Sequence, residues 1–100
     1  MSAMNVGVCR ITLRLPENGS LKGKRQVLRS LTQRLRNKFN LAVAEVDDND
    51  RWQIATIGLC CVSNDARHAR EMLDRAVAFV RSTRLDAELL ESEIEVSQYG

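Results

Sequence analysis

Histidine and proline each occur once in this chain, as His68 and Pro16, and aromatic residues make up only 4% of it. A lone imidazole excludes the multi-histidine zinc sites and leaves every serine and cysteine without a base at a readable spacing, so no nucleophilic or metal-assisted catalysis is expected. Scarce aromatics also remove the stacking platform by which a sheet face reads unpaired RNA bases, since the first and third strands carry none apart from Trp52 near a strand end. No window approaches the roughly 18 consecutive apolar residues of a membrane span. The stretch Met1 to Val6 has neither the basic region nor the apolar run of a leader peptide, which predicts a cytoplasmic protein with no membrane contact. The three cysteines, Cys9, Cys60 and Cys61, lie in apolar runs without C-x-x-C spacing. They are expected as buried, reduced thiols, with a redox pair of Cys9 and Cys61 as the rival reading.

Acid is nearly missing from the first part of the chain. Residues 1–44 carry nine Lys or Arg against the single acid Glu17, a balance of +8. Residues 45–100 carry six Arg against twelve acids, a balance of −6, and the two add to the net +2. The bland total hides a basic half and an acidic half, and such asymmetry points to a polyanionic partner or to pairing between the halves.

What is present reads as one domain over residues 1–100. Apolar residues at the odd positions from Gly7 to Leu15, with Arg10, Thr12 and Arg14 between them, have the period of a half-buried strand. Pro16-Glu-Asn-Gly is a turn, and Ser20 stands at a helix N-cap. Leu21, Leu28, Leu31, Leu35 and Phe39 recur at helical spacing, ending near Asn37 and Asn40. Leu41 to Val46 predicts a short strand, Asp47-Asp-Asn-Asp a reversal, and Trp52 to Val62 a long strand. Ser63-Asn-Asp opens a second helix with the stripe Ala66, Ala69, Leu73, Ala76, Val77 and Val80, and with i,i+4 pairs among Arg67, Arg70, Glu71, Asp74 and Arg75 outside. Leu85 to Leu90 is expected as a turn and Glu93 to Ser97 as the last strand. This order predicts an α+β, ferredoxin-like βαββαβ sandwich, with a four-stranded antiparallel sheet of order 4-1-3-2 and both helices on one face.

Three surfaces stand out. At 100° per residue, Lys22, Arg25, Arg29 and Arg36 share an arc of roughly 60° on the first helix. Cations in such a row repel one another by a few tenths of a kcal/mol per neighbouring pair. That points to phosphate contact, with Lys24, Arg10 and Arg14 counted among the RNA-binding cations; the alternative is a solvated face paired with the acidic half of the same or a neighbouring molecule. Lys24 falls on the apolar side of the helix; it is expected either to snorkel past the sheet edge or to join an anion site with Ser20 and Lys22. Val6, Val8, Trp52, Ile54, Cys60 and Val62 are expected on the outer sheet face, an apolar patch suited to a homodimer. The acids Glu45, Asp47, Asp48 and Asp50 read as a solvated hairpin turn, with weak Mg²⁺ or Ca²⁺ binding as the lesser alternative. Gly19 and Gly23 lack P-loop spacing, and no cofactor or small-molecule substrate is expected.

The segments Val8-Cys-Arg-Ile, Leu13-Arg-Leu-Pro, Ser20-Leu-Lys-Gly-Lys-Arg, Arg36-Asn-Lys-Phe-Asn, Val43-Ala-Glu-Val, Trp52-Gln and Val62-Ser-Asn-Asp resemble the YlxP-like family of small bacterial proteins of unknown function. The resemblance runs from about Asn5 to Val96 and implies a ferredoxin-like fold, bacterial origin, and genes often beside those for translation initiation and ribosome maturation. It supplies no activity and no catalytic residues. Together these features lead to the expectation of a non-catalytic accessory factor that binds RNA or a ribosomal particle through its basic helix. The alternative is a protein-interaction module, a homodimer docking a protein partner, and an anion sensor at the Ser20 end ranks third.

Overall fold

A computed structural model describes residues 3–83 and 87–100. The elements follow the order β1 (Met4–Arg14), α1 (Leu21–Lys38), β2 (Ala42–Asp47), β3 (Ile54–Ser63), α2 (Ala66–Ser82) and β4 (Glu88–Tyr99). The sheet is antiparallel with order β2-β3-β1-β4, which is the expected 4-1-3-2 read from the other edge. Both helices pack on one face, and the other face is left open.

β1 is central because its alternation lets it be buried on one side along its whole length. Cys9, Ile11, Leu13 and Leu15 are buried beneath the helices, as are Asn5 and Gly7, so the odd-position phase begins one pair earlier than the apolar residues announce. Ala55, Ile57, Leu59 and Cys61 of β3 and Val43 of β2 face the same way. Leu28, Leu31 and Leu35 of α1 and Ala69, Leu73, Ala76, Val77 and Val80 of α2 close over them as one core. Ala66, expected in the α2 stripe, is exposed in the first turn.

Both caps form. The Ser20 hydroxyl accepts the Gly23 N–H at 3.0 Å, and Asp65, rather than Ser63, caps α2 by accepting the Arg67 N–H at 2.9 Å. Ser63 instead receives the N–H of Asp65 itself. The reversal between β2 and β3 places Asp48 at φ 61°, a left-handed conformation that short polar side chains tolerate. Of the i,i+4 pairs expected along α2, none closes to ion-pair distance among the described residues, in keeping with the small value of solvated pairs.

Two boundaries differ from the sequence reading. β3 begins at Ile54, so Trp52 lies outside the strand, 55% exposed, with its carbonyl taking a hydrogen bond from the Asn18 amide. The expected turn from Leu85 begins outside the described residues; within them, Glu88 to Leu90 belong to β4. The register against β1 shifts at Thr12/Leu13, and this irregularity breaks the two-residue period of Leu89 and Leu90 that would have marked them as strand.

Gly23 sits in the first turn of α1, where glycine is a poor helix former. The reason is packing: a Cβ there would lie 2.2 Å from the Asn18 Oδ1, while the Asn18 amide nitrogen is held by the carbonyls of Ser20 and Trp52. Replacement by alanine should gain up to ~1 kcal/mol in helix propensity. It should lose the two Asn18 hydrogen bonds, worth about 1 kcal/mol each. Gly23→Ala is therefore expected to lower stability by about 1 kcal/mol in urea unfolding; a gain in stability would show that Asn18 does not tie the loop to the helix.

Candidate nucleic-acid interface on α1

α1 crosses the sheet above its β2 edge, and the two flanks of its leucine stripe have different fates. On one flank, Arg34 donates to the Thr83 hydroxyl at 3.3 Å, and the Lys38 ammonium stands 5.3 Å from the centre of the Phe79 ring, so both cations are spent on contacts with α2. The Phe79 ring packs edge-on to Phe39 at 6.0 Å, which closes the helix pair at that end.

On the other flank, Arg25, Leu28, Arg29, Thr32, Gln33, Arg36 and Glu45 line a shallow groove of about 280 Å³ between α1 and β2. Lys22, Arg25, Arg29 and Arg36 are all exposed, and among the described residues none has an ion-pair partner. Among the described residues, the acidic half of the same molecule closes no ion pair with this row. Arg36 differs from the others in donating at 2.8 Å to the Val43 carbonyl, on the outer edge of β2. It covers a main-chain acceptor that an edge strand leaves open, a structural use that sequence spacing gives no hint of.

Lys24 is corrected by the structure. It neither snorkels to the edge nor joins the exposed row: at 1% exposure it is buried, and its ammonium donates to the carbonyls of Asp48 and Arg51 at 2.5 and 2.8 Å. Glu45 Oε2 lies 2.9 Å from the same nitrogen, a close charge contact without an aligned hydrogen bond. The lysine therefore ties the start of α1 to the β2–β3 reversal and offers nothing to a phosphate. Glu45, expected among the turn acids, instead faces the basic groove, so an anion is best received along the outer rim at Lys22, Arg25 and Arg29.

Arg10 and Arg14 are also relocated. As even residues of β1 they point to the open sheet face, away from α1. Arg10 stands opposite Glu93, and Arg14 pairs with Glu88 at 2.9 Å. Beside the acids of β4 they do not extend the cationic row. Among the described residues no three His, Cys, Asp or Glu side chains stand close enough to share a metal ion, and no helix is long and apolar enough to cross a membrane.

The family model described as "Protein of unknown function (DUF503)" matches residues 6–94. The chain belongs to this family. An uncharacterised protein of Bacillus subtilis (strain 168), YlxP, is 39% identical over 64 residues, covering 64% of this chain and 70% of its own length. Among solved structures, a de novo designed protein, Foldit4, covers 93% of this chain and 96% of its own with a TM-score of 0.54 at 11% identity. LarC2, the C-terminal domain of a cyclometallase involved in synthesis of the NPN cofactor of lactate racemase, in its apo form, covers 99% of this chain and 58% of its own, with a TM-score of 0.50 at 9% identity. At such identities the likeness is one of fold alone.

Two measurements test these placements. Lys24→Ala leaves the Asp48 and Arg51 carbonyls and Glu45 without their cation and is expected to cost about 2–4 kcal/mol in urea unfolding. A cost below about 0.5 kcal/mol, that of an ordinary surface change, would show that the buried ammonium does not hold the turn. The thiols give a pH test. Burial, with the charge of Asp74 adding to it, pushes Cys9 from its ordinary 9.0 up to about 11. Burial also raises Cys61, against an opposing hydrogen bond from the Gly7 backbone. The unfolded chain ionises first, so unfolding releases protons, and stability should fall as pH rises from about 9 to about 11, by about 2 kcal/mol. Denaturation midpoints that stay flat across that window in the wild type, or fall equally in Cys9→Ala, would remove Cys9 as the cause.

Proposed function

We propose that this DUF503 chain is a non-catalytic accessory factor that binds RNA, free or in a ribosomal particle, through Lys22, Arg25 and Arg29 of α1, with Arg36 at the end of the row. The observation that carries this reading is the unpaired cationic flank. Its members repel one another, and a merely solvated helix face of this length ordinarily interleaves acids. From Lys22 to Arg29 the helix rises roughly 10 Å, and to Arg36 roughly 21 Å, so successive cationic groups can follow one phosphate backbone.

The flank carries no aromatic side chain, so the recognition proposed is of backbone charge and shape rather than of stacked bases. Affinity from such contacts comes from counterion release and falls steeply with salt. The same chemistry sits well with a chain of +8 balance over its first 44 residues. The second reading, a protein-interaction module, is favoured by a different observation, the apolar patch on the opposite side of the sheet.

Binding to mixed ribosomal RNA and to isolated ribosomal subunits across a salt series tests the proposal. The wild type is expected to bind with a logarithmic salt slope of about −2 to −4. Lys22→Gln, Arg25→Gln and Arg29→Gln should each flatten the slope by about 0.7 to 0.9. Lys38→Gln, on the α2 flank, should leave it unchanged. Absence of binding at the lowest salt, or a slope that the three substitutions do not alter, would overturn the RNA reading.

A further inference from the structure

Two surfaces of the domain stand open to a ligand, and they differ in what they select. The sheet face that no helix covers exposes Val8 at 44% and Val62 at 62%, with Val6 and Ile54 half-exposed and Trp52 beyond the strand. Its charges are of both signs, Arg10 and Arg14 of β1 against Glu88, Glu91, Glu93 and Glu95 of β4, so they single out no occupant. The groove between α1 and β2 is another matter. Three of its four charges are guanidinium groups, and the fourth, Glu45, has the wrong sign for a phosphate.

Register explains how Glu45 comes to be there. It stands opposite Ile57 and Val43 stands opposite Leu59, so it shares the phase of Val43 and turns toward α1. Its Oε2 is buried against the Lys24 ammonium at 2.9 Å without an aligned hydrogen bond, while the side chain as a whole keeps 23% of its surface exposed and lines the groove. Lys24 already donates to the Asp48 and Arg51 carbonyls. The carboxylate is thus held in place by charge, and its capacity to accept hydrogen bonds is left over for a ligand.

A groove for phosphate alone has no use for this group. Arg25, Arg29 and Arg36 only donate, and an ionised carboxylate only accepts. Set beside them, Glu45 repels a phosphate that enters deeply and favours a ligand atom that donates. The sugar-phosphate backbone of DNA offers no such donor, because its phosphodiester and ring oxygens only accept. RNA adds one at every nucleotide, the 2′-hydroxyl, which both donates and accepts and by which a protein tells RNA from DNA. Base donors are common to both nucleic acids, and the groove lining includes no aromatic side chain on which a base could stack.

We propose that the α1–β2 groove recognises the ribose of an RNA strand, with Glu45 accepting a hydrogen bond from the 2′-hydroxyl while Lys22, Arg25 and Arg29 hold the neighbouring phosphates on the outer rim. This names the specificity determinant of the site and rests on the RNA reading above. With phosphates on the rim and the sugar edge turned inward, each charge of the groove meets its own complement. Thr32, half-buried on the α1 wall, can donate to the same 2′-oxygen, so the hydroxyl finds both a donor and an acceptor.

The dimensions suit part of a strand rather than an enclosed small molecule. The groove holds about 280 Å³, under the ~300–1,000 Å³ of small-molecule pockets, and it is shallow. From Arg25 to Arg36 the helix rises roughly 16 Å, so a backbone laid along it continues past the carboxylate on both sides. Arg36, tied to the Val43 carbonyl at 2.8 Å, fixes the far end of the groove against β2. Glu45 contributes selectivity more than affinity: it penalises a backbone without the hydroxyl and leaves the salt-dependent phosphate contacts to the rim.

Fluorescence anisotropy at one low salt concentration measures binding of the purified full chain to single strands of one mixed sequence, made as RNA, as DNA and as RNA with 2′-fluoro in place of the 2′-hydroxyl. The wild type is expected to prefer RNA by about tenfold over the other two, the size of one hydrogen bond to a charged acceptor. The 2′-fluoro strand keeps the sugar shape of RNA but cannot donate, and this comparison needs no variant. Glu45→Ala, with its fold checked by far-UV circular dichroism, should bring RNA and DNA to near-equal affinity, with DNA bound no more weakly than by the wild type. Equal wild-type affinity for RNA and DNA, or a preference that 2′-fluoro RNA shares with RNA, would overturn the ribose contact and leave the cationic flank standing. A preference that survives Glu45→Ala would remove Glu45 as its source. Failure to bind any of the strands at the lowest salt would sink this inference together with the RNA reading.

Discussion

β1 is hydrogen-bonded to β3 on one side and β4 on the other, and its two-residue period constrains the whole molecule. Once Cys9, Ile11, Leu13 and Leu15 turn toward the helices, antiparallel register commits Ile57, Leu59 and Cys61 to the same side, and with them Ile94 and Val96. It equally commits Val8, Arg10, Cys60, Glu93 and Glu95 to the open face. A slip of one residue would exchange the two sets and bury charge at Arg10 and Arg14. The core, the apolar patch and the acidic stripe are consequences of one alternation.

The elements legible from sequence are those whose local pattern and tertiary role agree. β1, both helices and their caps fall into this class, because the pattern that selects the local conformation is also the pattern that is buried. Trp52 misled because β propensity reports a preference for pleated, half-buried surface, and the residue is held instead by a loop carbonyl contact with Asn18. Leu89 and Leu90 misled because the irregular register near Thr12/Leu13 interrupts the alternation. The membership of the α1 row was legible from the helical wheel, but its chemistry was not. Whether Lys24 is a surface or an interior cation depends on the Asp48 and Arg51 carbonyls, which approach it from 24 and 27 residues away in sequence.

A buried lysine is an expensive way to close a turn, since an ammonium gives up its hydration for a fixed set of acceptors. Here the acceptors are two main-chain carbonyls, with one carboxylate as a close charge contact, all from the β2–β3 hairpin. The hairpin end has few apolar side chains of its own to hold it against α1. Lys24 supplies directional contacts where hydrophobic packing is thin, and it fixes the helix over the β2 edge. That placement is what leaves Lys22, Arg25 and Arg29 facing solvent while Arg36 reaches the Val43 carbonyl.

The two exposed surfaces answer to different physics. The α1 flank is almost pure charge, and its contribution to any association is set by counterions and vanishes as salt rises. The open sheet face is mainly apolar, with Arg10 and Arg14 of β1 and the acids of β4 as its charges, so salt screens only the smaller, charged part of any contact there. Because the sheet lies between them, occupation of one leaves the other free.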